Sequence, residues 1–343
     1  MDLRARAAET LDRLRFYGSV VRGLVRAGSR RAVHGGRHPD WPLPYELAMT
    51  ALRVAAHDHH ELATSLARAQ VAPLPRSLHG KVRVGTAELA GIAVDIHTPA
   101  GWSARRPTLL YLHGGGYVTC SPASHRDVIA RIAHVTGMRC IAPDYRLAPA
   151  HPFPAALDDA LAVYRLLLDG LAPARPFVAG DSAGGGLALA LMLSLRAAGE
   201  PLPPAAVLLS PWVDLTLGVD VLHAAGPHDY VAARRLVDNA RAYAGESDLA
   251  NPLISPAHAE LTGLPPLLVQ TGAWEILCEQ NQAFTARARA AGVDVTHEVE
   301  PGMLHAFTCF AGISPQGTNA LASIGRFLAR HAAHPRAPEA HAP

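Results

Sequence analysis

Apolar residues set the expected elements along the chain. Over residues 7–25, Leu11, Leu14, Phe16, Val20, Val21 and Leu24 recur at helical spacing with arginines between them, which predicts an amphipathic helix. A loop rich in Gly, Arg and His follows, then Trp41-Pro42-Leu43-Pro44, and a second helix is expected from Tyr45 to about Ala56. From Lys81 the period becomes two. Val82 and Val84, then Ile92, Val94 and Ile96, alternate with other residues, as two antiparallel strands joined by a turn between Gly85 and Gly91 would. The unbroken apolar run at 107–112 reads instead as a buried parallel strand. Further strands are expected at 139–143, 176–180, 205–209, 267–272 and 293–299. Helices are expected at 124–136, at 155–168 and from Ser182 to Arg196. Strand and helix alternate, so the fold class is α/β, with a mostly parallel sheet, right-handed crossovers and flanking helices. Residues 1–75 precede every strand and read as a helical cap or flank.

Composition narrows this picture. A chain of 343 residues, 49% hydrophobic, can bury one doubly covered sheet and still carry a cap. Its 31 basic and 29 acidic residues leave a net charge of +2, and no basic stripe is interleaved with aromatics, so nucleic acid is not an expected partner. Cys120, Cys140, Cys278 and Cys309 are scattered and read as free thiols of a reducing compartment. Neither a secretory leader nor a membrane-spanning run is legible, so a cytoplasmic location without stable membrane insertion is expected. The basic helix over residues 7–25 could touch a membrane surface, although packing on its own domain is the favoured reading. His57-Asp58-His59-His60 has ligand types suited to zinc, but adjacent residues seldom converge on one ion. No metal or cofactor is therefore expected. The tail at 332–343, rich in Pro, Ala and His, is expected to be disordered.

The chemistry concentrates at strand ends. Pro176-Phe177-Val178-Ala179-Gly180-Asp181-Ser182-Ala183-Gly184 is an apolar run ending in G-x-S-x-G and followed at once by an Ala/Leu-rich helical pattern. That is the context of a nucleophile elbow, in which a strained turn lifts a serine hydroxyl above the sheet edge. Side chains at Gly180 or Gly184 would collide with the neighbouring strand or helix. Upstream, the strand at 107–112 ends in His113-Gly114-Gly115-Gly116-Tyr117. Consecutive glycines expose backbone N–H groups, as an oxyanion hole requires, and Gly114, Gly115 and Ala183 are the expected donors.

His113-Gly-Gly-Gly, the run from Asp144-Tyr-Arg-Leu-Ala-Pro through Asp158-Asp159, Gly180-Asp-Ser-Ala-Gly-Gly and Ser210-Pro-Trp-Val-Asp together resemble the bacterial hormone-sensitive-lipase family (family IV esterases) of the α/β-hydrolase fold. The resemblance is strong from about Pro107 to Phe310 and weak over the first 75 residues. It implies an eight-stranded sheet in a catalytic domain over 76–331, with a helical cap from the N-terminus plus an insertion at about 214–251. It also implies a catalytic acid three residues past Gly272, where this chain has Glu275 rather than the usual aspartate; Glu279, one helical turn further on, is the rival. His305, in Gly302-Met303-Leu304-His305-Ala306-Phe307, matches the catalytic histidine, and the order Ser182, Glu275, His305 is that of α/β-hydrolases.

The resemblance further implies hydrolysis of short- to medium-chain acyl esters through an acyl-enzyme, and homodimers through a sheet edge. Tyr117, Val118, Trp212, Leu215, Leu217 and Trp274 are candidate pocket walls. Cys120 stands where relatives often carry Gly and reads as a packing thiol. Lactones, acetylated small molecules and amides suit the same triad. A non-catalytic ligand-binding relative and a membrane-associated lipase are further alternatives.

Overall fold

The computed structural model of the chain describes residues 3–58, 70–172 and 174–333. Eight strands form one sheet: β1 (Val82–Leu89), β2 (Ile92–Pro99), β3 (Thr108–Leu112), β4 (Arg139–Pro143), β5 (Phe177–Asp181), β6 (Ala206–Leu209), β7 (Leu267–Gly272) and β8 (Val295–Glu300). Their order is β1-β2-β4-β3-β5-β6-β7-β8. β2 is antiparallel to both of its neighbours, and every other pair is parallel. The apolar runs explain this placement. β3, β5, β6 and β7 are buried along their whole length, so they take central positions covered on both faces.

Two apolar layers sandwich the sheet. On one face lie α4 (Ala155–Leu166), α5 (Ala183–Ala197) and α8 (Cys278–Ala290); on the other lie α3 (Arg126–Thr136) and α9 (Pro315–Ala333). α5 is almost wholly buried, and each such leucine contributes about 1.5–3 kcal/mol by leaving water. Ahead of the sheet stand α1 (Leu3–His34) and α2 (Leu43–Asp58). Between β6 and β7, α6 (Val219–Ala225) and α7 (Ala233–Ala244) occupy the expected insertion.

Two expectations are corrected. The β1–β2 turn is tight: Leu89 pairs with Ile92, and Ala90 and Gly91 both have positive φ, at 54° and 77°. That is a two-residue hairpin turn, and Gly85, taken as its start, lies inside the exposed strand β1. α1 continues to His34, through residues expected to form a loop. Its end is held by α2, where the fully buried Glu46 accepts hydrogen bonds from Arg30 Nη2 (2.5 Å) and Arg31 Nη1 (2.7 Å). His59 and His60 of the candidate metal motif and tail residues 334–343 lie outside the described residues. Among the described residues no group of His, Cys, Asp or Glu could hold a metal ion, and no helix is long and apolar enough to cross a membrane.

The N-terminal block docks where it matters for chemistry. Trp41, Tyr45 and Met49 pack against Met303, Leu304 and Phe307, around His305. Trp41 Nε1 donates to the Gly302 carbonyl (3.0 Å), and Trp274, beside Glu275, packs on Trp41 and His38.

Candidate active site

Ser182 has φ 52° and ψ −121° at the end of β5, the strained geometry of an elbow. The flanking glycines are required sterically. A Cβ on Gly180 would run into the Gly184 carbonyl, and one on Gly184 into the Leu112 carbonyl of β3. Ser182 N donates to the Leu209 carbonyl (2.8 Å) and Trp212 N to the Ser182 carbonyl (2.9 Å), so β6 braces the turn from one side.

The structure brings Ser182, His305 and Glu275 together. His305 Nε2 lies 2.9 Å from Ser182 Oγ. Its Nδ1 stands 3.8 Å from Glu275 Oε1, too far for a hydrogen bond, and has no other partner in this conformation. Glu275 is fully buried and held from elsewhere. Its Oε2 accepts from Ser210 Oγ (2.5 Å) and Gly272 N (2.8 Å), and Oε1 faces Asn281 Nδ2 at 3.4 Å. Burial opposes the imidazolium form of His305, but the carboxylates of Glu275, Asp229 and Asp181 prevail and raise its pKa above 6.5. Glu279, the rival acid, is exposed on α8.

The glycine loop departs from expectation at one position. Gly114 N donates to Asp181 Oδ1 (3.0 Å), so that group points into the protein. Gly115 and Gly116, with φ 114° and 62°, line the cavity instead. Among the described residues, no protein acceptor meets the N–H groups of Gly115, Gly116 or Ala183. Three consecutive glycines mark such a loop, but only the neighbour on β5 decides which two face the site.

Asp181 anchors the loop. Its Oδ1 also accepts from Tyr111 OH (2.8 Å), and its Oδ2 faces His125 Nε2 at 3.3 Å. Burial disfavours charge on both members of that pair, yet their attraction wins: His125 is raised and Asp181 lowered. His113, fully buried and stacked on Tyr145, is driven the other way by burial, to about 3, and stays neutral.

Ser182 and His305 open onto a cavity of about 660 Å³. None of the six expected wall residues lines it. Tyr117, at φ 63°, turns away and stacks on Tyr243 with ring centroids 3.6 Å apart. Val118, Trp212 and Leu215 are buried in the main core, with Leu217 packed against it. Trp274 is 37% exposed beside His38 and Trp41. Nearness in sequence placed these residues beside the site, but five of the side chains pack in or against the core and Trp274 lies at the surface. Much of the wall comes from distant segments: Leu52, Ala55 and Ala56 of α2, Gln70, and several residues of the insertion between Tyr230 and Asn239. Cys120, at φ 71°, is on the wall, and burial pushes its thiol up to about 11.

Besides Asp181, three positioning residues escaped the sequence reading. Ser210 (φ 46°) donates to Glu275 and accepts from Ala306 N (2.9 Å), tying the acid to the histidine loop. Its Ser-Pro dipeptide after β6 was the available signal. His125 gave none beyond its type. Asp229, buried in the insertion, accepts from Ile276 N (2.8 Å) and Tyr230 N (2.7 Å), and burial lifts its carboxyl to about 6.

A doubly wound sheet with this strand order, a serine on the β5–α5 turn and a histidine beyond β8 define an α/β-hydrolase. Residues 109–309 match the family model for the alpha/beta hydrolase fold. The chain is 43% identical over 244 residues to an acetyl-hydrolase of Streptomyces hygroscopicus, covering 68% of this chain and 80% of the relative. It is 36% identical over 222 residues to an esterase of Acinetobacter venetianus, covering 64% and 73%. Among solved structures it resembles esterase EstE5 soaked with p-nitrophenyl butyrate, at TM-score 0.77 and 34% identity over 83% of this chain and 97% of that one. It also resembles an esterase from the bacterial hormone-sensitive lipase family, at TM-score 0.72 and 35% identity over 92% and 98%. The chain belongs to the bacterial hormone-sensitive-lipase family of α/β-hydrolases, and it is an enzyme that hydrolyses esters.

Proposed function

We propose that the chain is a serine carboxylesterase for short- to medium-chain acyl esters, working through an acyl-enzyme on Ser182. The 2.9 Å contact between His305 Nε2 and Ser182 Oγ, on the cavity that Gly115 and Gly116 also line, carries this reading. Ser182 Oγ attacks the ester carbonyl carbon while His305 Nε2 takes its proton. The oxyanion is held by the N–H groups of Gly115, Gly116 and Ala183. Collapse of the tetrahedral intermediate expels the alcohol, which receives the proton from His305. Water then repeats the sequence on the acyl-enzyme, releases the acid and restores Ser182. Glu275 orients His305 and stabilises its imidazolium.

We also infer that α2 and the 214–251 insertion form the lid, since both supply cavity wall. The four cysteines are free, which supports a reducing compartment.

A p-nitrophenyl series from acetate to palmitate tests the substrate class. Turnover is expected to peak among the acetate-to-butyrate members and to fall towards palmitate. No turnover at any length would overturn the reading, and a maximum at palmitate would turn it towards a lipase. Acetate heads the series because one relative is named an acetyl-hydrolase.

Asp181 holds the oxyanion loop through its hydrogen bond from Gly114 N. Asp181→Ala is expected to lower kcat for p-nitrophenyl acetate on the order of 10²-fold, somewhat less than loss of a strong oxyanion donor. KM should move little, and circular dichroism should report a retained fold. A change confined to KM would place Asp181 in binding instead.

A further inference from the structure

We infer that α1, α2 and the connection between them form a second site, one that binds a phosphoryl group. It lies outside the catalytic cavity and does not depend on the ester chemistry. A pocket of about 390 Å³ opens between the two helices, and four arginines line it: Arg26 and Arg30 of α1, Arg53 of α2, and Arg37 from the connection. α2 stands between this pocket and the catalytic cavity. Arg53 and Val54 line the one, and Leu52, Ala55 and Ala56 the other.

Only one of the four charges is paired with a carboxylate. Glu46 accepts from Arg30 Nη2 at 2.5 Å, and its remaining capacity goes to Arg31 Nη1 (2.7 Å) and the backbone N of Arg37 (3.1 Å). Arg53 Nη2 donates to the Pro227 carbonyl (3.0 Å), a neutral acceptor. Among the described residues, no hydrogen bond or ion pair meets the guanidinium of Arg26 or Arg37. Three cations thus surround one pocket without a carboxylate of their own. Like charges held this close repel. Partial burial, Arg53 and Arg30 together lower the pKa of Arg37, and Glu46 offsets only part of that. An anion in the pocket would relieve the repulsion. A carboxylate suits a single guanidinium fork. A phosphate monoester brings about −1.5 to −2 charges near neutral pH and three strong acceptor oxygens, which matches three unpaired arginines better. Arg26 and Arg37 are exposed, so a ligand can reach them from solvent. Two sources present this group: a free phosphorylated metabolite, and the headgroup of an anionic phospholipid.

Isothermal titration of the full chain with inorganic phosphate, at constant ionic strength balanced with chloride, reads the site directly. The wild type is expected to bind saturably. Arg26→Gln/Arg37→Gln is expected to weaken binding about 10- to 100-fold, the worth of a charge-assisted hydrogen bond. Arg83→Gln/Arg105→Gln removes the same charge from two exposed positions, on β1 and on the β2–β3 connection, and should bind as the wild type does. In chloride the first variant should unfold at the same temperature as the wild type or higher, because repulsion is relieved. In saturating phosphate that order should reverse. Sedimentation with phosphatidylcholine vesicles, with and without phosphatidic acid, separates the two sources. Capture that requires phosphatidic acid, Arg26 and Arg37 identifies a lipid headgroup; phosphate binding without capture identifies a soluble metabolite. Neither phosphate binding nor capture by the wild type, or equal weakening in both double variants, would overturn the inference. Turnover enters none of these readouts, so that result would leave the esterase reading untouched.

Discussion

Ser182→Ala is expected to lower kcat for p-nitrophenyl butyrate by about 10⁶-fold, the scale seen when the nucleophile of a serine hydrolase is removed. What remains is catalysis by the oxyanion donors and binding alone, on the order of 10³–10⁴ over water. The substitution should leave the fold intact. Its backbone stays in the same strained conformation, because Gly180 and Gly184 and the braces from Leu209 and Trp212 impose that strain, not the hydroxyl. Two thiols, Cys120 and Cys309, line the same cavity, and neither can take over. Burial raises both, Cys120 to about 11, so almost no thiolate is present near neutrality. Pre-steady-state mixing should show a burst of p-nitrophenol in the wild type where deacylation is the slower step, and none in the variant. Wild-type turnover by purified Ser182→Ala would remove Ser182 from the chemistry.

Ser182 was legible because its surroundings are local. A buried strand, a tight glycine turn and a helix must follow one another in sequence, and each leaves a composition that one stretch of chain displays. The same holds for the sheet, whose central strands are the uninterrupted apolar runs. The cavity wall was illegible for the opposite reason. Leu52 and Arg235 meet across the site only because α2 and α7 pack over it, and no periodicity in either helix records that meeting. Gly114 was misassigned in the same way. Its N–H is claimed by Asp181, 67 positions away, a pairing that β3 and β5 create by lying side by side. Local chemistry is written in local sequence; the choice among equivalent neighbours is made by tertiary contacts.

Glu275→Gln is expected to lower kcat by about 10⁴-fold, the cost of losing control of the imidazole tautomer. The 3.8 Å separation from His305 Nδ1 does not argue against the role. Catalytic hydrogen bonds are commonly long in the free enzyme and tighten in the substrate complex. Glutamate has one more methylene than the aspartate usual in the family, and Ser210 and Gly272 hold Oε2 in place while Oε1 faces the histidine. A small rotation about the terminal torsion would close the gap. Glutamine can keep an acceptor or present an amide, and presenting the amide to Nδ1 favours the tautomer whose Nε2 carries the proton and cannot accept one from Ser182. The pH profile separates this role from a merely structural one. The base must be neutral, so activity falls as pH drops through the pKa of His305. Carboxylates raise that pKa above 6.5, which sets the acid limb of kcat/KM above 6.5 in the wild type. Removing the Glu275 charge should move that limb to lower pH while reducing its height. Asp229→Asn, which takes away the second carboxylate near His305 but keeps a side-chain oxygen for one of the backbone N–H groups it now binds, should move the limb in the same direction with a much smaller loss of kcat. Glu279→Gln, on the exposed face of α8, should change neither. If Asp229→Asn proved the more damaging of the two buried-carboxylate variants, the acid of the triad would be Asp229, delivered by the insertion rather than by the end of β7.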